Sequence, residues 1–280
     1  MLLVVAILLI LLVLVYIISE IFLPEYALML LIFVGIFVIV DAYMSYKHGD
    51  KIILKATNAK PADPVKHAYY LNTVEGLALA AGLPVPKAYV LPDKDINAFA
   101  TGRDPEHASI AVTQGALDKL NRQELEGVIA HEMSHIGNHD IRFFTLIAVF
   151  VGLVAILSHI FLRSLLYSGG GNSGNRDDAG LLIIAGLILA IIAPIVVRLV
   201  QLSISRKREY LADATGVKLT RYPPGLAGAL EKIKKYNQGR MNVSEAVSHL
   251  FISDPKNTFM DNIFATHPPI DRRIEKLRSM

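Results

Sequence analysis

Long apolar runs alternate with polar stretches along this chain. The apolar runs cover residues 2–18, 27–40, 143–162 and 181–197, and the first two contain no charged residue. A helix needs about 20 residues to cross the roughly 30 Å of hydrocarbon in a bilayer, and each run is close to that length. The pattern predicts four membrane-spanning helices, arranged as two hairpins.

A cleaved signal peptide is the alternative interpretation of the first run. No basic residue precedes that run, no small-residue cleavage site follows it, and the second run begins directly after residues 19–26. Glu20, Pro24 and Glu25 instead fit the tip of a tight membrane hairpin. We therefore favour four spans over a signal peptide.

The spans divide the chain into four parts. We expect a transmembrane hairpin at 1–46, the first part of a soluble domain at 47–142, a second transmembrane hairpin at 143–200 and the second part of the domain at 201–280. The two soluble parts together make one domain. The predicted fold is a mainly α membrane protein with a cytoplasmic α+β domain that contains a small sheet.

Turn residues and β-rich runs predict the elements of the first soluble part. A helix near 64–81 ends at Gly82 and Pro84, and short strands follow it at 88–92, 96–102 and 109–115. A second helix then begins at Asn121, a favourable N-cap, with Glu124 at the spacing of a capping box. Apolar residues recur at helical spacing after this cap: Leu125, Val128, Ile129 and Ile136.

Basic residues predict the orientation of the spans. The loop at 20–26 contains no Lys or Arg. Basic residues are frequent at the opposite ends of the apolar runs: Lys47, Lys51, Lys55, Lys60, Arg142, Arg198, Arg206, Lys207 and Arg208. By the positive-inside rule, the N-terminus, the 47–142 segment and everything after residue 198 are cytoplasmic. We expect an integral protein of the cell (inner) membrane whose soluble domain lies in the cytoplasm.

Composition supports the membrane assignment and limits the chemistry. The chain is 53% apolar with a mean hydropathy of +0.44, which is high for a soluble domain. The excess of basic residues in the segments predicted to be cytoplasmic explains the net charge of +3. Basic and aromatic residues are not interleaved along the chain, so we expect no nucleic acid or nucleotide partner. With no cysteine, disulfides are excluded and a metal site must use His, Asp or Glu.

The sequence HEMSH places metal-binding groups on the capped helix. His131 and His135 are four residues apart and therefore share one helical face, where both rings can hold one ion. Glu132 is rotated by about 100° from His131, which puts its carboxylate beside the ion and outside the ligand set. This is the geometry of a zinc peptidase, in which the glutamate takes a proton from an activated water.

A third ligand has a candidate in the sequence SRKREYLADATG. Glu209 and Asp213 are again four residues apart, on a second predicted helix. A carboxylate from Glu209 would complete a site with two histidines and one glutamate. Asp213 could accept a hydrogen bond from a ligand histidine and orient its ring.

The order of these motifs resembles the HtpX-type membrane zinc metallopeptidases, gluzincins related to the CAAX prenyl proteases. The motifs are the first membrane hairpin, HEMSH, the second hairpin, EYLAD and a late THPP…RRI. The resemblance implies one Zn2+ per chain in a zincin-like domain. It implies that His131, His135 and Glu209 are the zinc ligands and that Glu132 is the general base. It also implies that Asp213 supports a ligand without touching the metal. The segment Asn97 to Ala100, including Ala98, would be an edge strand that binds extended substrate.

Several other polar residues leave alternatives open. His267 could donate to the oxyanion, bind the zinc and block it, or form a structural turn before two prolines. His139 and Asp140 could be extra ligands, but we favour an interfacial or capping role. Asn97 could bind substrate backbone or form a turn. Arg208 could bind a substrate carboxylate, but the positive-inside bias alone explains it.

The predicted function is that of a zinc metalloendopeptidase in protein quality control. Both metal-binding helices continue predicted spans, which places the ion about 10–20 Å from the cytoplasmic hydrocarbon boundary. We expect polypeptide substrates, namely membrane or misfolded proteins cut near that face, and the lipid bilayer as a partner. The alternatives are a CAAX prenyl-protein peptidase and a non-catalytic membrane scaffold with a structural zinc.

Overall fold

Two compact units make up the chain. The computed structural model describes residue 16 and residues 24–149, 151–152, 206–255 and 268–280. One unit contains Met1–Ser45 and Phe150–Ser203, and the other contains Tyr46–Val149 and Ile204–Met280. The predicted span at 2–18 apart from residue 16, the span at 181–197 and most of the run at 143–162 lie outside the described residues.

Helix α1 contains the second apolar run. It covers Ala27–Ala56 and follows a short 3-10 turn at Pro24–Tyr26. Large apolar side chains along its first half are exposed: Leu28, Met29, Ile32, Phe33, Ile36, Phe37, Ile39 and Val40. Across the segments that the structure describes, no helix combines the length and apolarity needed to cross a membrane. The four spans remain a sequence prediction.

A mixed four-stranded sheet forms one layer of the second unit. Its strands are β1 (Lys60–Pro61), β2 (Lys87–Leu91), β3 (Ala98–Gly102) and β4 (Ala108–Thr113), in the order β1-β2-β4-β3. Strands β2 and β4 are parallel, and the other pairs are antiparallel. Every residue of β3 and β4 is buried. The predicted small sheet is confirmed, with the two-residue β1 as an additional strand.

Helices follow and separate the strands and make the described chain mainly α. They are α2 (Ala68–Ala81), α3 (Gln114–Lys119), α4 (Arg122–Gly137), α5 (residues 140–149), α6 (Arg206–Thr220), α7 (Pro223–Tyr236), α8 (Glu245–Ser248) and α9 (Ile270–Arg278). Helix α2 ends as predicted at Gly82, whose φ of 66° is left-handed and suits a residue without a side chain.

Helix α4 is the central element of the second unit. Its capping box is present: the Asn121 side chain accepts from the Glu124 N–H at 2.9 Å, and Glu124 Oε2 accepts from the Asn121 N–H at 2.7 Å. Nearly all of the helix after its first turn is buried, from Glu124 to Ile136. A buried helix must contact neighbours on several faces, and α4 packs on α6, α7, α2 and the sheet.

Two glycines allow α4 to approach its neighbours closely. A Cβ on Gly127 would lie 2.6 Å from the backbone nitrogen of Leu226 in α7. A Cβ on Gly216 of α6 would lie 3.0 Å from the backbone nitrogen of His131. Because Glu209 and Asp213 lie two turns and one turn before Gly216, this close approach brings both carboxylates to the histidine face of α4.

We predict that Gly127→Ala destabilises the fold by about 1–3 kcal/mol, because the new methyl group would overlap the α7 backbone. Gly76→Ala in α2 is the matched control. No atom lies within 4 Å of the point that the alanine methyl group would occupy there, so alanine should be neutral or stabilise the helix by up to about 1 kcal/mol. Thermal unfolding of the purified protein measures both changes, and equal midpoints for the two variants would contradict the prediction.

Candidate metal centre

Three predicted ligands meet at the interface between α4 and α6. The side-chain donor atoms of His131, His135 and Glu209 all lie within 4.8 Å of one another. Nε2 of His131 is 3.8 Å from Glu209 Oε2, and Nε2 of His135 is 3.4 Å from Glu209 Oε1. All three residues are buried, so these donor atoms face one another with little access for bulk water.

A carboxylate lies behind each histidine ring. Nδ1 of His131 is 3.0 Å from Asp213 Oδ1, and Nδ1 of His135 is 3.1 Å from Asp140 Oδ2. The His135 contact is a hydrogen bond that fits an Nδ1–H donor, whereas the His131 contact is a close ion-pair distance. In both rings Nε2 is the nitrogen nearer Glu209. Within the described part of the chain, both ring nitrogens of His131 are buried without a partner at hydrogen-bond geometry.

Charges around the cluster favour a cation at its centre. Burial acts to lower the pKa of His135, but Asp140 and Glu209 outweigh burial and raise that pKa to about 10. Burial acts to raise the pKa of Asp213, but Arg273 and His131 together outweigh burial and lower that pKa to about 2. The carboxylates therefore stabilise positive charge between them.

The donor set fits a divalent metal ion. Two imidazole nitrogens and one carboxylate are the protein ligands of one common class of catalytic zinc site, which keeps a further position for water or substrate. Nε2 of His131 faces Glu209 and has no hydrogen-bond partner among the described residues, so it is available to a metal ion. The structure thus brings together the residues that could hold the ion.

Glu132 lies next to this cluster and outside it. It is 1% exposed and follows His131 on α4, while its carboxylate accepts a hydrogen bond from the Ala100 N–H of β3. Burial raises the pKa of Glu132 to about 7. A carboxyl group with a pKa near neutrality can both accept and return a proton at physiological pH.

Arg273 is a buried member of the site that the sequence interpretation missed. It is 1% exposed, and its Nε and Nη2 donate to the two oxygens of Asp213 at 2.9 and 2.7 Å. Its Nη1 lies 3.8 Å from Glu209 Oε2 and donates to the Ile252 carbonyl at 2.9 Å. The sequence contained one indication of this burial. Arg273 lies at helical spacing from three apolar residues of α9, on the same face: Ile270, Ile274 and Leu277.

Asp140 also has a role different from the expected capping or interfacial one. Helix α4 ends at Gly137, and His139 adopts a left-handed φ of 58°. This turn brings the chain back, so Asp140 is buried beside His135 rather than one turn beyond it. His139 itself is exposed and lies outside the ligand cluster.

The predicted substrate-binding residues are engaged with the protein itself. Asn97 is fully buried, its Nδ2 donates to the Ser253 carbonyl at 3.0 Å, and its Oδ1 accepts from the Ser253 N–H at 3.3 Å. The Ala98 carbonyl accepts from the Ile252 N–H at 2.9 Å. A substrate role for Asn97 and Ala98 stays a prediction. His267 lies outside the described residues.

Comparison with known proteins agrees with this arrangement. Residues 64–280 match the sequence family described as Peptidase family M48. A "Protease HtpX homolog" from Caldanaerobacter subterraneus subsp. tengcongensis is 50% identical over 253 residues, which are 89% of this chain and 84% of that protein. Another from Thermoanaerobacter pseudethanolicus is 48% identical over 254 residues, again 89% and 84% of the two chains.

A solved structure shares the fold. The crystal structure of S. mikatae Ste24p aligns with a TM-score of 0.53 at 20% sequence identity, over 94% of this chain and 62% of that one. This chain therefore spans less than two thirds of that larger protein. The resemblance deduced from the HEMSH and EYLAD motifs is confirmed, and the chain belongs to peptidase family M48.

Proposed function

We propose that this protein is a zinc-dependent endopeptidase in which Glu132 acts as the general base. The observation that supports the proposal most directly is the buried triangle of His131, His135 and Glu209 with Glu132 beside it. Membership of peptidase family M48 supplies the reaction class. The proposal adds the identity of the metal and the roles of the four side chains.

Zinc held by His131, His135 and Glu209 would supply the Lewis acidity that activates water and polarises a peptide carbonyl. Glu132 accepts the proton of the attacking water and passes it to the leaving amine. Its pKa of about 7, raised by burial, suits both steps. The Ala100 N–H of β3 lies beside the Glu132 carboxylate and acts to lower its pKa, against the larger effect of burial.

Asp213 and Arg273 keep this machinery in place. Asp213 orients the His131 ring through the 3.0 Å contact at Nδ1. Arg273 compensates the charge of Asp213, and its Nη1 lies 3.8 Å from Glu209 Oε2, so its positive charge faces both carboxylates. These residues act on the ligands and do not need to contact substrate.

The proposed location of the enzyme is the cytoplasmic face of the cell membrane. The exposed apolar side chains in the first half of α1 suit a lipid environment, and Lys47, Lys51 and Lys55 follow them on the same helix. An enzyme anchored there would cut membrane proteins or misfolded polypeptides close to the bilayer. The domain limits at 46, 142 and 200 belong to this proposal.

We predict that Glu132→Gln lowers kcat on casein by about 10²–10⁴-fold while zinc stoichiometry stays unchanged, because only the proton acceptor is lost. Glu126→Gln on the same helix is the matched control, since Glu126 lies outside the ligand cluster, and it should retain both zinc and activity. Metal analysis and initial rates on the same preparations measure the two effects. Cleavage by Glu132→Gln at the wild-type rate would show that another group is the base.

We also predict that Glu209→Gln lowers zinc affinity and activity together, because the charged ligand is removed while the side-chain shape is kept. A chelator should abolish wild-type cleavage, and added zinc should restore it. Competition with a chromophoric chelator measures the affinity. A wild-type protein that binds zinc but cleaves neither casein nor a membrane protein would favour the scaffold alternative, and selective cleavage of prenylated peptides would favour a prenyl-protein peptidase.

A further inference from the structure

Each of the two histidines is supported by its own aspartate and arginine. Arg273, Asp213 and His131 form one series, which links α9, α6 and α4. The second series starts at Arg208 of α6, whose Nη1 donates to Asp140 Oδ1. Asp140 Oδ2 faces Nδ1 of His135 at 3.1 Å. The two series end on different histidines of the cluster.

We propose that Asp140 and Arg208 are positioning residues for His135. Asp140 orients the imidazole, and Arg208 acts through Asp140 by compensating its charge. The inference rests on the proposed function, because it assumes that His135 binds zinc.

The end of α4 explains why His135 needs a separate support. His135 lies in the last turn of α4, which ends at Gly137, so little helix follows to hold its ring. The left-handed turn at His139 then places the Asp140 carboxylate against Nδ1. A fixed N–H acceptor holds the ring orientation and makes Nε2 a better donor to a metal.

Burial explains why Asp140 needs Arg208. Asp140 is 3% exposed, and a buried carboxylate is costly unless an opposite charge and hydrogen bonds compensate it. Arg208 supplies both, and its guanidinium also lies over the Phe143 ring, 5.5 Å from its centroid. The aromatic contact holds Arg208 on the Asp140 side of α6.

The two arginines differ in exposure, and this difference separates their expected effects. The Arg208 side chain is 45% exposed, whereas the Arg273 side chain is 2% exposed. Salt screens an exposed ion pair much more than a buried one. The support of His135 should therefore depend partly on ionic strength, through Arg208, and more strongly on the buried Asp140.

The test compares the zinc dissociation constants of Asp140→Asn, Asp140→Ala, Arg208→Gln and the double variant Asp140→Ala with Arg208→Gln. Competition with a chromophoric chelator gives the constant, and kcat and KM are measured on casein in low and high salt. Arg278→Gln is the matched control, because Arg278 pairs with Glu231 on the surface and touches no ligand. Arg208→Lys tests rescue by a residue that keeps the charge.

We expect Asp140→Ala to weaken zinc binding about 10–100-fold. Asp140→Asn keeps an acceptor oxygen, so its zinc affinity should fall less than that of Asp140→Ala. Arg208→Gln should weaken zinc binding about fivefold or less at low salt, with a smaller effect at high salt. The double variant should bind zinc with the same affinity as Asp140→Ala. Arg208→Lys should recover most of the zinc affinity that Arg208→Gln loses. Arg278→Gln should have the zinc affinity of the wild type.

Four results would overturn the inference. Wild-type zinc affinity in Asp140→Ala would remove the role of Asp140 while leaving the proposed function intact. A further loss from Arg208→Gln in the Asp140→Ala background, or a raised KM with unchanged zinc affinity, would show that Arg208 acts on its own or on substrate. A wild-type protein that binds no zinc would overturn the proposed function as well. Thermal unfolding of the zinc-free proteins identifies misfolded variants, and the isosteric Asp140→Asn keeps the comparison decisive if Asp140→Ala does not fold.

Discussion

Charge compensation between Arg273 and Asp213 is the interaction on which the buried centre depends. Asp213 must be ionised to hold His131, and it is ionised inside the protein because Arg273 donates to both of its oxygens. The same guanidinium lies near Glu209 and donates to the Ile252 carbonyl. Removing one partner of such a buried pair typically costs about 3–5 kcal/mol, because the other charge is left without compensation.

The same charges determine how distant parts of the chain come together. His131 belongs to α4, Glu209 to α6 and Arg273 to α9, and these helices pack directly on one another or through α7. Glycine at 216 allows α6 to approach the backbone of His131, so the carboxylates of α6 reach the imidazoles. Close backbone packing and charge pairing thus reinforce one another at a single interface.

Local patterns made much of this arrangement predictable from sequence. The capping box at Asn121 and the four-residue spacings of HEMSH and EYLAD follow directly from helix geometry, and the small sheet and family membership were predicted from local runs and motif order. Arg273 was missed, and Asp140 was expected in an interfacial or capping role, because the contacts of both residues depend on tertiary structure. Arg273 acts through a helix packed from elsewhere, and Asp140 acts through a left-handed turn that no simple spacing rule indicates.

The separation of α4 from α6 and α9 along the chain has a consequence for synthesis. During translation, the histidines of α4 leave the ribosome well before Glu209, and Arg273 follows later still. A nascent chain that has folded only as far as α5 therefore presents imidazoles and Glu132 without the third ligand or the arginine that stabilises its neighbours. On the roles proposed for these residues, hydrolytic competence would arise only after Glu209 and Arg273 have been translated.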